Sequence, residues 1–416
     1  MSLRSITITL MALMALPWAA AGAESADPVS GTELFSLGGF GTLGIVHSSE
    51  HLADFTSSVF QPGGAGYSEN WSTAVDSLIG AQLTVNINPK LSAVVQIIAQ
   101  QNPDNTYTPH VEWANVKYLL TPDFSIRAGR IVIPTFLDSD SINVGYATPW
   151  VRPPPGVYQL LPIDNSDGVD FSYRLHIGAV TDTLEGHYGQ NNGDLPYNRG
   201  SATARNIWGF SDTAEYGPLT VHLAYQEMHL TIPSFDALFN AFRQFGPQGI
   251  AIADKYDLDN KPFVTEAIGT SYEPGQYFVM AEWARANTNS IFAVGTAWYV
   301  SSGYRLGKFT PYLTYTEVKS DRNSDPGLAL AALPPSRAGF AAGLNAGLNS
   351  ILELNPDQNT VSVGSRWDFM KNVDLKLQMD HSRNGRGSSG GLADLQPGFR
   401  PGGVVNLLSA TVDFVF

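Results

Sequence analysis

The chain has 416 residues, of which 15% are charged, and its formal net charge is −14. Soluble globular proteins carry about 25% charged residues, so this composition excludes an ordinary soluble domain. The absence of Cys excludes an exported scaffold held together by disulfides. The acidic balance argues against nucleic acid as a partner, and we interpret it as a solvated acidic surface.

The first 23 residues have the pattern of a secretory signal peptide. Arg4 supplies a positive start, residues 6–16 form an apolar core, and Ala21 and Ala23 are small residues that suit cleavage near Ala23. A membrane-spanning first helix is the alternative, but the apolar run is shorter than the ~20 residues that a span needs. The sequence therefore predicts an exported protein whose mature domain comprises residues 24–416.

Beyond this segment, apolar and polar residues alternate in stretches of about ten residues, as in membrane-spanning strands. Residues 75–87 and 169–177 place Val85 and Phe171 on apolar faces, and residues 219–226 and 373–380 do the same with Leu223 and Leu377. No later stretch has 18 apolar residues in a row, which argues against a transmembrane helix. A soluble sandwich could also alternate, so the connections must decide between the two folds.

The connections alternate between short and long. The short ones contain Pro, Gly, Asn and Asp, which suit tight turns, and lie near residues 88–90, 121–123, 177–178, 217–218, 273–275, 307–308 and 370–372. The long ones lie near residues 48–71, 101–109, 132–166, 190–204, 232–261, 287–290, 320–357 and 384–402. We therefore predict an all-β fold, a transmembrane antiparallel β-barrel of about 16 strands with short periplasmic turns and long extracellular loops.

Two of the long loops are predicted to contain helices over the barrel mouth. Ser234 is a candidate N-cap for a helix that carries Phe239 and Phe242 on one face and ends at Gly246. A second apolar, Ala-rich stretch, centred near Ala341, covers residues 328–354.

Three motifs resemble chemical sites without the context that such sites need. Residues 39–44 match G-x-G-x-x-G, but these glycines lie inside a predicted strand with no helix after it. Residues 387–391 match G-x-S-x-G within a Gly-rich loop. His110 and Glu112 share one strand face, but a third metal ligand is missing. We therefore predict no catalytic, cofactor or metal site.

Residues 129–134, 143–154 and 303–312, together with the terminal Phe416, resemble the Gram-negative outer-membrane porin family over the whole mature chain. The resemblance implies homotrimers of 16-stranded barrels in outer-membrane lipid and lipopolysaccharide, with an inward-folded third extracellular loop. It also implies that the barrel assembly machinery recognises Phe416.

Strand parity predicts which charged side chains face the lumen. Bases on the inner wall are expected to oppose acids of the third loop across a narrow aqueous passage, and Asp138 and Asp140 are the closest pair of these acids. Asp164 and Asp167 are further acids of this segment. The predicted constriction comprises Asp138, Asp140, Lys117, Arg127, Arg130, Arg174, Arg366 and Lys376. The alternative is that each of these charges is simply a solvated lumen residue.

These features predict a porin that lets small hydrophilic solutes and ions diffuse passively, without a cofactor or a reaction. A solute-selective channel is one alternative, and it would differ only in loop and wall residues. A barrel enzyme such as a lipase or protease is the other. It would need Ser, His and a carboxylate grouped near one rim, and the eight His residues show no such grouping.

Overall fold

Sixteen antiparallel strands form one closed sheet in the computed structural model, which describes residues 34–292, 294–321 and 324–416, without the side chain of Asn198. The strands are β1 (Phe35–Ser48), β2 (Leu78–Asn88), β3 (Leu91–Gln100), β4 (His110–Thr121), β5 (Phe124–Val132), β6 (Asn165–Ile177), β7 (Val180–Asp194), β8 (Ser201–Tyr216), β9 (Leu219–Thr231), β10 (Lys261–Tyr272), β11 (Tyr277–Thr288), β12 (Gly295–Tyr304), β13 (Phe309–Ser320), β14 (Gln358–Met370), β15 (Val373–Asn384) and β16 (Val404–Val415). The predicted signal peptide lies outside the described residues.

Each strand pairs with its sequence neighbours, and β1 closes the barrel by pairing with both β2 and β16. Closure satisfies every ladder hydrogen bond inside the sheet, as a bilayer requires. The prediction of 16 strands, seven short turns and eight longer loops is confirmed. Loop 1 extends to residue 77, because a short strand at Trp71–Ser72 pairs with β1. Loop 4 is shorter than predicted, because β7 and β8 stay paired to Asp194 and Ser201.

Large apolar side chains cover the outer wall, where alternation predicts contact with lipid. Phe171, Leu223 and Leu377 are all exposed on the outside of the isolated barrel. Inward neighbours on the same strands are polar, such as Asp170 and Gln378. The two-residue period of the sequence therefore separates a lipid face from a lumen face.

We expect Leu377→Arg to lower the yield of folded barrel, because an Arg at the bilayer midplane costs about 2–4 kcal/mol. The inward neighbour Gln378 is a poor control, since it accepts a hydrogen bond from the Tyr312 hydroxyl at 2.7 Å. Ser172→Arg, on the inward face of β6, is the matched control and should fold normally. The measurement is the fraction of heat-modifiable protein in isolated outer membranes. Equal yields from the two variants would refute the assignment of faces.

Helices form in the loops where they were predicted, with one correction. In loop 3, Pro155–Tyr158 forms the short helix α1. In loop 5, Pro233–Phe235 forms a short 3₁₀ turn, followed by helices α2 (Asp236–Arg243) and α3 (Gly246–Tyr256). Ser234 forms no N-cap hydrogen bond, so its predicted role as a cap is wrong. Gly246 has φ of +67° and directly precedes Pro247, which begins a second helix rather than only ending the first. In loop 7, α4 (Pro335–Leu352) lies within the predicted stretch.

These helices pack onto the inner wall and fill part of the lumen. Phe239 and Phe242 of α2 and Leu348 of α4 are fully buried in one apolar core, which also contains Met228 and Tyr299 of the wall. Among the described residues, none of the helices is both long and apolar enough to span a membrane. The apolar core occupies the side of the lumen formed by β8–β13, so the open passage lies beside it.

Candidate pore constriction

The third loop, residues 133–164, folds into the barrel and crosses to the opposite wall. At its root, the Ile133 amide donates to the Asp164 carbonyl at 2.8 Å, which holds the two ends of the loop together. Farther along, the Leu137 amide donates to Glu282 of β11 at 2.9 Å, and the Trp150 indole donates to Ser301 of β12 at 2.8 Å. The family-based prediction of an inward third loop therefore agrees with the structure.

Arg152 ties the far part of the third loop to the barrel. Its guanidinium donates two hydrogen bonds to Asp76 of loop 1, at 2.7 and 2.6 Å, and one to the Ser409 hydroxyl of β16 at 2.8 Å. Asp380 of β15 lies 3.5 Å away, and the ring of Phe55 covers the guanidinium at 5.1 Å. Because Arg152 is buried, its two hydrogen bonds to the Asp76 carboxylate fix the path of the loop. Sequence reasoning missed Arg152, since it considered only the wall bases and the loop acids.

Arg366 contacts the periplasmic side of the third loop. Its guanidinium donates to the carbonyl oxygens of Tyr146 at 2.6 Å and Thr148 at 3.2 Å. It also pairs with Asp368 at 2.8 Å and with Asp374 at 3.1 Å. The two carbonyl contacts hold the loop backbone against β14, so Arg366 is an anchor for the loop.

Lys376 of β15, the next strand, also anchors the third loop. Its ammonium donates to the Gly145 carbonyl at 2.5 Å and pairs with Asp413 of β16 at 3.1 Å. Lys376 and Asp413 are both fully buried. The prediction that Lys376 lines the aqueous passage is therefore wrong, whereas Arg366 borders the lumen cavity on the periplasmic side of the loop. Parity correctly placed both side chains on the inner face, but the third loop covers Lys376.

Charged groups are neighbours on the inner wall of β4–β6. Lys117 of β4 and Arg127 of β5 are direct neighbours in the register, as parity predicted. Arg127 pairs with Asp170 of β6 at 2.7 Å. Asp140, which is exposed on the third loop, lies within electrostatic reach of Arg127 and of Glu185 on β7. Sequence reasoning missed Glu185, although the alternation of residues 180–194 would place it inward.

Asp138 and Asp164 lie in drier surroundings than Asp140. Burial raises the pKa of Asp138 to about 6, against a hydrogen bond from the Tyr158 hydroxyl at 3.4 Å. The same hydroxyl donates to Glu282 at 2.7 Å, which places Asp138 in the anchoring cluster of the loop root. Burial, and then the neighbouring Glu112, raise the pKa of Asp164 well above its usual range. The structure thus separates Asp140 from the other loop acids.

Arg130 and Asp167 are on the outer surface, so their predicted inward position is wrong. Arg130 of β5 lies opposite Asp167 of β6, and the two side chains form a fork with distances of 2.8 and 2.9 Å. Asp167 is an even number of residues from Phe171 on the same strand, and Phe171 faces outward. Arg130 is likewise an even number of residues from the outward Ile126. Arg174 faces inward near the periplasmic end of β6, opposite Thr183 and away from the third loop.

The three discounted motifs lie in β1, in β4 and in the loop between β15 and β16. Gly39 and Gly41 lie in β1, where the rings of Phe416 and Phe414 cover them. His110 and Glu112 form a pair at 3.6 Å. In the part of the chain that the structure describes, no three His, Asp or Glu side chains are grouped closely enough to hold a metal ion.

Several solved outer-membrane proteins have a similar fold. The anion-selective porin from Comamonas acidovorans shares 11% identity, with a TM-score of 0.54 over 92% of this chain and 99% of that chain. The channel DcaP of Acinetobacter baumannii shares 12% identity and has a TM-score of 0.54, with 92% and 97% covered. Salmonella typhi OmpF, in complex with daunomycin, shares 13% identity and has a TM-score of 0.52, with 92% and 97% covered.

No curated protein sequence matches the chain. The sequence model of the Gram-negative porin family, in contrast, matches residues 9–387, which is nearly the whole chain. Together with the closed barrel of 16 strands, this match shows that the chain belongs to the Gram-negative porins, the channels through which solutes diffuse across the outer membrane.

Proposed function

We propose that small hydrophilic solutes and ions pass between Asp140 of the third loop and the charged wall of β4–β7. The observation that carries this proposal is the position of Asp140. It is the exposed acid of the loop, and it lies within electrostatic reach of Arg127 and Glu185. The constriction then comprises Asp140, Lys117, Arg127, Asp170 and Glu185.

The charges on the two sides of this passage set its electrostatics. The loop contributes an acid, whereas the wall contributes the neighbouring bases Lys117 and Arg127 with the acids Asp170 and Glu185. Opposed charges across a narrow aqueous gap orient dipolar solutes, and rings of charge set ion preference. A solute-selective channel would use the same wall, and candidate solutes in a planar bilayer would separate it from a general one.

Single-channel reversal potentials under a salt gradient test this proposal. We expect Asp140→Asn to shift ion preference toward anions, because it removes a negative charge from the passage. Arg127→Gln should shift preference toward cations. Both shifts should be larger at about 0.1 M salt, where the Debye length is ~10 Å, than at 1 M, where it is ~3 Å.

Asp138→Asn is the matched control, because Asp138 lies two residues away in the same loop but within the cluster of Tyr158 and Glu282. Its reversal potential should stay close to that of the unmodified channel. A folded Asp140→Asn channel with unchanged selectivity at low salt would overturn the proposed constriction.

We further propose that the barrel assembles as a homotrimer in contact with lipopolysaccharide. The family supports this, as does the outer surface of β1 and β2, where Leu37, Leu43 and Ile79 are all more than half exposed. Broad exposed apolar surface suits both lipid and a neighbouring subunit.

We expect deletion of Phe416 to impair insertion while leaving export across the inner membrane intact. The backbone of Phe416 exchanges two hydrogen bonds with Gly39, at 2.9 and 3.0 Å, and its ring lies where a Gly39 side chain would be. Deletion removes this closing pair of β1 and β16 and the proposed signal for the assembly machinery. Phe416→Tyr is the control and should assemble normally. Normal amounts of heat-modifiable oligomer from the deletion would contradict the role of Phe416.

The export signal and the absence of catalysis also belong to this proposal. Amino-terminal sequencing of the mature protein tests cleavage near Ala23. One hydroxyl–imidazole–carboxylate arrangement occurs at the periplasmic rim, where His176 lies 3.4 Å from the Thr181 hydroxyl and 3.9 Å from Asp123. It is exposed and loosely spaced, which favours a solvated rim over a hydrolytic site. Hydrolysis of ester or peptide substrates that is lost in His176→Gln would favour the enzyme alternative.

A further inference from the structure

We propose that the barrel has a second solute site, a blind pocket for one neutral sugar ring beside the charged passage. The pocket lies on the extracellular side of the third loop, against the inner faces of β13–β16. Loops 1 and 8 contribute Phe55 and Leu392 to its walls. This site goes beyond diffusion through the passage, because it binds a solute instead of conducting it.

One wall of the pocket consists of neutral hydroxyl and amide groups. They project from three adjacent strands and include Thr314, Thr316, Gln358, Thr360, Ser362 and Ser382. In the register, Thr316 lies opposite Thr360 and diagonal to Gln358, so these groups are neighbours on one face. The side chains of Thr316 and Gln358 form no hydrogen bond with any residue that the structure describes. They are therefore available to a ligand.

Apolar side chains form another part of the lining, and Val405 is the direct neighbour of Ser382 on the same sheet face. These apolar side chains are those of Val405 and Leu407 of β16 and Leu392 of loop 8, together with Phe55 and Pro155. A sugar ring has the same mixed character, since its hydroxyls lie around the edge and its C–H groups form the faces. The pocket thus offers one ring both hydrogen-bond partners and apolar contact.

The charged groups at the pocket are paired with one another. Arg152 is bound by Asp76 at 2.6 Å and lies 3.5 Å from Asp380, and all three side chains are buried. Two acids thus accompany one base, and Gln378 also donates to Asp380 at 2.7 Å. Arg152 is thus committed to carboxylates, and the described residues that line the pocket offer an anion no other cation. This lining favours a neutral ligand.

The third loop closes the floor of the pocket. Trp150, Val151 and Arg152 are buried, and each is hydrogen-bonded to the barrel wall. A separate cavity on the periplasmic side is lined by Tyr146 and Pro149 of the same loop segment. Because this segment separates the two spaces, a solute that enters the pocket from outside does not continue to the periplasm.

The size of the pocket suits a single ring. Its volume of about 60 Å³ accommodates about five waters at ~10–15 Å³ each. One sugar ring would displace about this number of waters from the pocket. An oligosaccharide would instead extend beyond the pocket into the mouth of the barrel. D-glucose is therefore the probe.

Isothermal titration of the purified full-length barrel with D-glucose tests the site. We expect saturable binding whose Kd is the same at low and high salt, because D-glucose carries no charge. The double variant Thr316→Val with Gln358→Leu should bind about tenfold or more weakly, since each neutral hydrogen bond contributes severalfold in affinity. Thr183→Val, the same change on the inward face of β7, is the matched control and should bind normally.

Single-channel recordings give a second readout that does not depend on these variants. Glucose in the blind pocket should leave the ion current uninterrupted, whereas glucose in the charged passage should interrupt it. No saturable binding, equal binding by the double variant, or current interruptions that increase with glucose concentration would each overturn the proposal. The reversal potentials that test the constriction are measured without sugar, so the two proposals can fail separately.

Discussion

Replacement of Arg152 by Met should release the far part of the third loop and strongly destabilise the barrel. Among the described residues, Arg152 is the only base within salt-bridge distance of Asp76. Arg152 also lies 3.5 Å from a second carboxylate, that of Asp380. Removal of one member of a buried ion pair leaves an uncompensated charge and costs about 3–5 kcal/mol. The measurement is the urea concentration at which the gel-mobility shift of the folded barrel is half lost.

Arg130→Met is the matched control for this variant. Arg130 forms an equally short fork with Asp167, but the pair lies on the outer surface with both side chains partly exposed. Exposed pairs contribute about 0–1 kcal/mol, so this variant should unfold close to the unmodified barrel. Equal losses in the two variants would mean that Arg152 does not anchor the loop.

The Arg152 variant should also change conduction. With the far part of the loop detached, Trp150 and Val151 would lose their fixed place over the wall of β12 and β15. The segment that separates the extracellular pocket from the periplasmic cavity would then move. We expect noisier single-channel currents with additional open levels, while Arg130→Met should conduct as before.

The strand count was predictable because it depends on local patterns that repeat many times. Alternation assigns each residue to one face, and turn residues mark where each strand ends. An error in assigning one segment changes the predicted number of strands only a little. The loop helices were partly predictable for the same reason, but Pro247 illustrates a limit. Proline both follows one helix and begins the next, so its position alone does not tell which occurs.

The division of the wall bases between anchors and passage was not predictable in the same way. Lys117 and Lys376 have the same parity signal, because both project inward from barrel strands. What separates them is the path of the third loop, which covers Lys376, whereas we propose that Lys117 borders the passage. That path depends on contacts between distant residues, such as Arg152 with Asp76. Arg130 is different, since the parity of β5 already places it on the outer face with Ile126.

The last prediction concerns the buried pair of Lys376 and Asp413. We expect Lys376→Met to reduce the yield of folded barrel, because it leaves Asp413 without its cation in a site closed to water. The cost should be about 3–5 kcal/mol, as for other broken buried pairs. Asp413 would keep only neutral partners, the hydroxyls of Thr42 at 2.5 Å and Thr411 at 3.0 Å.

Combining Lys376→Met with Asp413→Asn should restore much of the loss, because the second change removes the stranded charge. Asp374 still has Arg366 at 3.1 Å, so the double variant leaves no other acid of this cluster without a base. The urea midpoints of the two single variants and the double variant form a double-mutant cycle. We expect the double variant to be more stable than Lys376→Met alone. Strictly additive losses would show that the charges act independently, and that Lys376 contributes through its bond to Gly145 rather than through Asp413.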